Sequence, residues 1–494
     1  MCHFVRPLPA PRGLNQAESL HFSSFEVGTW FASPQIMNKL SLLPVLMGLA
    51  VVACSSSDTE DPTKPDPNDY PSIARSEVAR DSATSIPAAT LEAIVDADNA
   101  FAFDLYDQAR VDAASDNLIL SPLSISLAMS MTYAGAQNTT ASEMAKSLHF
   151  DAPGLDVHGG QNALSQALAS RAADALAAAE INAQQAGSEA PSPDDFRLHI
   201  VNSVWGDGSY TWEQPFLDTL ARSYGTGVYL ADFIHQYDAE RVRINTWVSE
   251  ETHDKINDLL PDGSLNDLTR MVLVNAMHLK MPWEMPFSAE ATAAGPFNKT
   301  DGTAVSADFM SQQESFSYYE DDNMQLAALP LVGRHVSFVV ALPKGTLGDL
   351  ESSLTSGTWK TAWEGRGPQL VALKLPKFSF TSDSIKLKDT FEALGTVQAF
   401  DPDQADFYGM CKEPPNGEQL FIAEIIHKAM MAVDENGVEA AAATAVIMAG
   451  DTSVAPEPVA MVVDKPFVVA IVDEPTGALL FLGHITDPTA EGSQ

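Results

Sequence analysis

Cysteine is scarce: Cys2, Cys54 and Cys411 are the only three in 494 residues. Three thiols without paired spacing exclude a disulfide framework and give no metal-ligand pattern. Positive charge is scarce as well. Lysine and arginine total 28 against 66 acidic residues, a formal net charge of −38. So acidic a chain argues against nucleic acid, whose phosphates need Lys and Arg, and against docking on an anionic membrane surface. It fits a solubilising surface, with steering of a basic partner left open. Catalytic signatures are missing too. There is no HExxH, GxSxG, P-loop or GxGxxG, and His253, His278 and His335 stand in no triad-like pattern. The sequence therefore gives no sign of an enzyme, a metal site or a cofactor. No internal repeat is visible, and the absence of regular β-α alternation argues against a solute-binding lipoprotein.

What is present begins with an address. Met37, Asn38 and Lys39 precede a mostly apolar run over residues 40–53. This is the charged flank and core of an export signal, too short for a membrane span of about 20 residues. The run ends in Val51, Val52, Ala53 and Cys54, which resembles the lipobox of bacterial lipoproteins. That resemblance implies lipidation of Cys54 and a membrane anchor through it. With Ser55 next, it implies an exported protein at the outer membrane or cell surface, facing the periplasmic or extracellular side. Residues 1–36 read as an extension upstream of a start at Met37. Residues 54–90, rich in Ser, Asp and Pro, read as a disordered tether.

A globular pattern runs from 91 to 490. Leu91, Ile94, Val95, Ala102, Leu105 and Tyr106 recur at helical spacing. Helices are predicted over 123–133, 164–186 and 244–260. Buried strands are predicted over 197–205, 271–278, 335–342, 370–375, 467–472 and 478–483. The last two are joined by a turn in which Pro475 sets φ and Gly477 takes positive φ. Helices come early and strands late, which indicates an α+β fold.

Seven segments in order resemble the serpin family. They are 117–126 (NLILSPLSIS), 244–260 (INTWVSEETHDKINDLL), 272–287 (VLVNAMHLKMPWEMPF), 375–380 (LPKFSF), 394–407, 427–444 (HKAMMAVDENGVEAAAAT) and 464–488. The resemblance implies one domain with three β-sheets, a large central sheet A, eight or nine surrounding helices and an exposed reactive-centre loop over about 435–460. It places Ser121, Ser124, Asn275 and His427 at the shutter, where sheet A parts. It places Trp283 at the breach, although Met281 and Pro282 depart from the usual glycine-containing pattern. The implied activity is irreversible inhibition of a serine, or also a cysteine, endopeptidase by a monomer. The inhibitor forms a covalent complex and its cleaved loop inserts into sheet A. The alternative is a non-inhibitory serpin acting as a binding or chaperone-like surface protein.

Between these readings the hinge decides. Its residues are Glu435, Gly437, Val438, Glu439, Ala440, Ala441, Ala442, Ala443 and Thr444. A segment entering a sheet must turn small, uncharged side chains inward, and strand side chains alternate. One parity holds Val438, Ala440, Ala442, Thr444, Val446 and Met448, all uncharged. The other holds Glu439, the one charge in the run, where it can stay in solvent. Gly437 supplies the freedom of a hinge. Val438 stands at the first inserting position, where Thr or Ser is common in the family. Counting the usual inhibitor spacing from Glu435 puts the reactive bond at Asp451–Thr452, with Met448–Ala449 the alternative.

Overall fold

Nine strands build the central sheet, one of them the short Ile385–Lys386, which pairs with Glu424–His427; the other eight form its body. In chain order they are β1 (Ile73–Ala74), β2 (Arg197–Asp207), β3 (Val228–Ala231), β4 (Met271–Pro282), β5 (Phe378–Thr381), β6 (Glu424–His427), β7 (Met430–Val433) and β8 (Gly437–Val438). Across the sheet they run β1-β3-β2-β4-β8-β7-β5, while β6 pairs in parallel directly with β4. The sheet is therefore closed at one end, where β6 meets β4. At the other end β8 lies between β4 and β7. The computed structural model describes residues 72–113, 116–439, 457–490 and 492. All belong to the compact unit Asp66–Gln494.

Buried apolar runs make these strands. β4 buries every residue except the half-exposed Lys280, as a strand covered on both faces must. On one side lie the helices α1 (Ala88–Asp112), α2 (Pro122–Tyr133), α3 (Val157–Ala169) and α4 (Arg171–Ala186); α5 (Phe233–Glu251) covers the other face, with Ile244 and Val248 in a cluster with Val201, Val272 and Val274. Pro122 opens α2 at its first turn, where a missing N–H costs nothing. α2 is buried along nearly its whole length and packs on β2, on β4 and on the strand Leu479–Ile485. Ser124, Ser126, Ala128 and Ser130 keep that helix slim enough for the sandwich. The tether expected over 54–90 does not run to α1: residues 72–90 are built onto the body, because their backbone and side chains find partners at the sheet's margin. β1 pairs with β3, Leu230 N–H donates to Ser72 O (2.8 Å), and Ser76 Oγ donates to Asp218 (2.6 Å).

The second sheet runs Val459–Val462, Gly367–Pro376, Ala304–Glu320, Met324–Pro330, Val336–Pro343, Phe467–Asp473, Leu479–Ile485, Leu118–Leu120. Three sheets were expected. Among the described residues, hydrogen bonding joins the strands into two sheets of nine. The 17-residue strand Ala304–Glu320 is the reason. It pairs with Ala293–Asn298 at one end, with Met324–Pro330 at the other and with Gly367–Pro376 between, so that it serves two sheet halves at once. The α+β class stands.

Two helix boundaries differ from expectation. The Ala-rich helix predicted over 164–186 is two helices, α3 and α4, broken at Ser170. The helix predicted over 244–260 begins at Phe233 and ends at Glu251. Beyond it His253, Asp254 and Asp258 take positive φ. Leu259 and Leu260 are buried all the same, because Asn245 holds both the N–H and the C=O of Leu260. Apolar spacing survived a change of backbone. The turn between the last two strands forms as expected, with Gly477 at φ 76° and the Asp473 carboxylate accepting from Thr476.

α1 carries a buried acid. Asp98 accepts from Ser126 Oγ (2.6 Å) on α2 and from Gln161 Nε2 (2.9 Å) on α3. Burial pushes its pKa up to about 7 against those two hydrogen bonds. A carboxyl raised on folding binds more protons in the folded state. Its contribution to stability is complete below the unfolded value and is lost as pH rises through about 7. Asp98→Asn is expected to raise the unfolding temperature at pH 8 and to leave it unchanged near pH 4. Calorimetry at both pH values checks this.

Candidate functional site

The chain turns sharply at the parted end of the central sheet. The Asp434 carboxylate accepts the N–H of Asn436 (2.7 Å) and of Gly437 (3.2 Å). Trp283 anchors the turn. Its indole N–H donates to Asp434 O (2.8 Å) and its backbone N–H to Asn436 O (2.9 Å). The ring is buried edge-on against Phe287 and Phe338. Glu435 is held by Lys377 Nζ (2.8 Å) and Thr292 Oγ1 (2.7 Å). Burial acts to raise its pKa, but those two donors keep it below the usual carboxylate range.

Gly437 and Val438 then enter the sheet. Gly437 lies opposite Pro282, and Val438 lies between Met281 of β4 and Val433 of β7, with 2% of its surface exposed. Met281 and Pro282, the departure noted in the sequence, are thus the partners of the first two inserted residues. Pro282 ends β4, where a strand tolerates a missing donor.

Glu439 stops the insertion. Its N–H still donates to Ala432 O (2.8 Å), but its φ is 52°. That left-handed conformation costs a non-glycine residue about 1 kcal/mol or more. The expectation that its side chain stays in solvent does not hold here. The carboxylate is 9% exposed and accepts from His278 Nε2 (2.9 Å) and Lys255 Nζ (2.8 Å). The φ reversal turns it down onto β4 and the chain following α5. Burial would raise its pKa; the His278 and Lys255 contacts outweigh this and hold it below the usual range. A depressed carboxylate stabilises above its unfolded pKa and loses that stabilisation as pH falls through the folded value. The latch therefore weakens in acid. Glu439→Gln is expected to speed amide exchange at residue 439 several-fold, the equivalent of about 1 kcal/mol. Exchange mass spectrometry at pH 7 reads it.

Further along β4, at the closed end, lies a hydrogen-bonded chain. His427 and Asn275 stand directly opposite each other on β6 and β4. Ser121 N–H donates to His427 Nε2 (3.1 Å), which fixes the tautomer, so Nδ1–H donates to Asn275 Oδ1 (2.8 Å). Asn275 Nδ2 donates to Ser124 Oγ and to Asn202 Oδ1 (2.7 Å). Ser121 Oγ donates to Leu480 O (3.0 Å). Ser121, Ser124, Asn275 and His427 are each 0% exposed. Burial pushes the His427 pKa down to about 3, so the ring is neutral and its acceptor role is secure. The network bridges the two strands that would have to separate for another to enter.

The structure thus brings Ser121, Ser124, Asn275 and His427 together, and separately Trp283, Glu435, Gly437, Val438 and Glu439. Cys54, residues 440–444, Met448, Ala449, Asp451 and Thr452 lie outside the described residues. Sequence reasoning missed Asn202, Lys255, His278, Lys377 and Asp434. Asn202 could have been found as the one amide inside an apolar strand, and Asp434 as the acid opening an Asp-x-x-Gly turn. Lys255, His278 and Lys377 carry no such signal. Among the described residues no group of His, Cys, Asp and Glu is placed to hold a metal.

The profile of one family, "Serpin (serine protease inhibitor)", matches residues 96–488. The leukocyte elastase inhibitor of Xenopus laevis is 32% identical over 78% of this chain and 97% of its own length. Serpin B4 of Homo sapiens is 33% identical over 81% of this chain and its whole length. A crystal structure of the thermophilic serpin tengpin in the native state superposes with a TM-score of 0.69. It is 26% identical, over 85% of this chain and all of that one.

Proposed function

The chain belongs to the serpin family, and from that premise we propose that it is an irreversible, suicide-substrate inhibitor of serine endopeptidases, with cysteine endopeptidases a second target class. Family members act as protease inhibitors rather than catalysts. One observation carries the reading: Gly437 and Val438 already occupy the strand position between β4 and β7, with Glu439 turning the chain out.

The sequence of events follows from that starting point. The protease's nucleophile attacks the carbonyl carbon of the bait residue and the peptide bond to the next residue breaks. An acyl-enzyme ester or thioester remains on the loop's new carboxyl end. That end is no longer tied to Val459–Val462. Glu439 leaves its latch and becomes extended, and its strain is released. Residues of the Val438 parity follow inward. β6 separates from β4, so the Asn275–His427 hydrogen bond breaks as the new strand fills the gap. Loop insertion in serpins is an established instance of strand addition and of stored strain released on cleavage. A strand of about 14 residues reaches roughly 46 Å, enough to carry the acyl-linked protease along the sheet and distort it before water completes hydrolysis.

The bait bond in this reading is Asp451–Thr452, with Met448–Ala449 the alternative, and the protein works as a monomer. Export and anchoring through a lipid on Cys54 belong to the same proposal. A diacylglycerol-sized mass on an amino-terminal peptide starting at Cys54 would support the anchor and an unmodified Cys54 would overturn it, while a peptide from residues 1–36 would overturn the start at Met37.

Incubation with Asp/Glu-, Met/Ala- and Arg-directed proteases tests the activity. A complex stable on denaturing gels, with a released peptide starting at Thr452 or Ala449, is expected. Proteases that nick the loop and stay active would leave the non-inhibitory, surface-binding alternative.

A further inference from the structure

A cavity of about 200 Å³ opens between α2, α3 and β2. Its floor is apolar, made by Leu127 and Met131 of α2, Leu168 of α3 and Ile200 of β2. A cavity of about 150 Å³ accommodates benzene, so this one holds a slightly larger apolar body. Arg80 lies at its rim, brought there by the segment that precedes α1. Its guanidinium Nε donates to Asn162 Oδ1 (2.9 Å) and Nη2 to Ser165 Oγ (2.7 Å). These two bonds orient the planar group without neutralising it. No described carboxylate lies within ion-pair distance of Arg80, although most described arginines in this acidic chain have one. Arg80 is also the one permanent charge among the lining residues. Asn202, on the inner wall, belongs to the network that holds Asn275.

We propose that this cavity binds a small amphiphilic monocarboxylate, with the apolar body on Leu127, Met131 and Leu168 and the carboxylate on Arg80. An apolar floor with one oriented cation at its edge fits such a ligand by charge and shape. A ligand bound to the native state alone stabilises it by mass action, and the contact with Asn202 joins that stabilisation to the closed sheet. Arg80 lies within residues 54–90, the stretch expected to be a tether, in the part that is built onto the body ahead of α1. Sensing the acid thus depends on a segment outside the region matched by the family profile, which begins at residue 96.

Titration of the full chain with octanoate and with octanol, followed by calorimetry and thermal unfolding, tests this. Octanoate is expected to bind saturably, at one site, at least tenfold tighter than octanol. Arg80→Gln is expected to remove that preference while octanol binding persists. Leu168→Trp, which fills the floor, is expected to abolish both. Equal affinity for acid and alcohol, an octanoate affinity unchanged by Arg80→Gln, or no saturable binding by the natural chain would each overturn the proposal. Inhibition assays on the same variants are independent of this outcome, so a failed ligand test leaves the inhibitor reading untouched.

Discussion

Val438→Arg is expected to abolish the covalent protease complex while the loop is still cut. Val438 is buried between Met281 and Val433 at the point where insertion begins. A guanidinium there has no acid to meet in the sheet, and burying an unpaired charge costs several kcal/mol. Each 1.4 kcal/mol or so is a factor of ten in rate, so insertion slows on the order of a hundredfold or more. Hydrolysis of the acyl-enzyme then wins and the protease leaves active. Quantifying cleaved inhibitor against trapped protease on denaturing gels reads the partition directly. An unchanged yield of complex would mean that insertion does not start at Val438.

His427→Leu is expected to convert the proposed inhibitor into a protein that inactivates itself. The substitution keeps volume but leaves Asn275 Oδ1 and Ser121 N–H without their partner, at about 1–3 kcal/mol each. The lost bonds are those across the seam between β4 and β6. Loop entry must break the Asn275–His427 bond in any case, so its absence lowers the barrier to uncleaved insertion. Native gels over hours at 37 °C should show the variant passing to a loop-inserted, non-inhibitory form while the natural chain persists. Acid tests the same residue in the natural chain. A histidine whose folded pKa is about 3 binds fewer protons folded than unfolded. Stability therefore falls as pH drops from about 6.5 toward 3. His158, buried and lowered to about 4, contributes in the same direction. His427→Leu should flatten part of that slope and leave the His158 part.

Legibility from sequence followed burial. β4 and the hairpin Phe467–Asp473 with Leu479–Ile485 are mostly apolar and almost wholly buried, and a run of that kind reads as a strand wherever it lies. Ala304–Glu320 was not read as a strand. It carries Ser, Gln and Glu on its exposed side and is only partly buried along its length, so its pattern looks like a surface loop. The residues of the functional site divided in the same way. Gly437, Val438, Ser121 and His427 sit in segments with a recognisable pattern. Asn202 and His278 function through register. Asn202 faces Asn275, and His278 reaches Glu439 only because the chain reverses φ after Val438. Neither a strand register nor a left-handed glutamate is visible in one sequence.

β1 has a role that reaches beyond the single molecule. A sheet able to take a strand at its centre is at risk at its margin also, since an edge strand with free N–H and C=O groups is a template for neighbouring chains. Ile73 and Ala74 lie on that margin, paired with Tyr229 and Val228. The molecule thus caps β3 with its own polypeptide, from the segment that precedes α1. Wherever copies of the chain are crowded together, this cap stands between a lone molecule and one that grows, edge to edge, into aggregates.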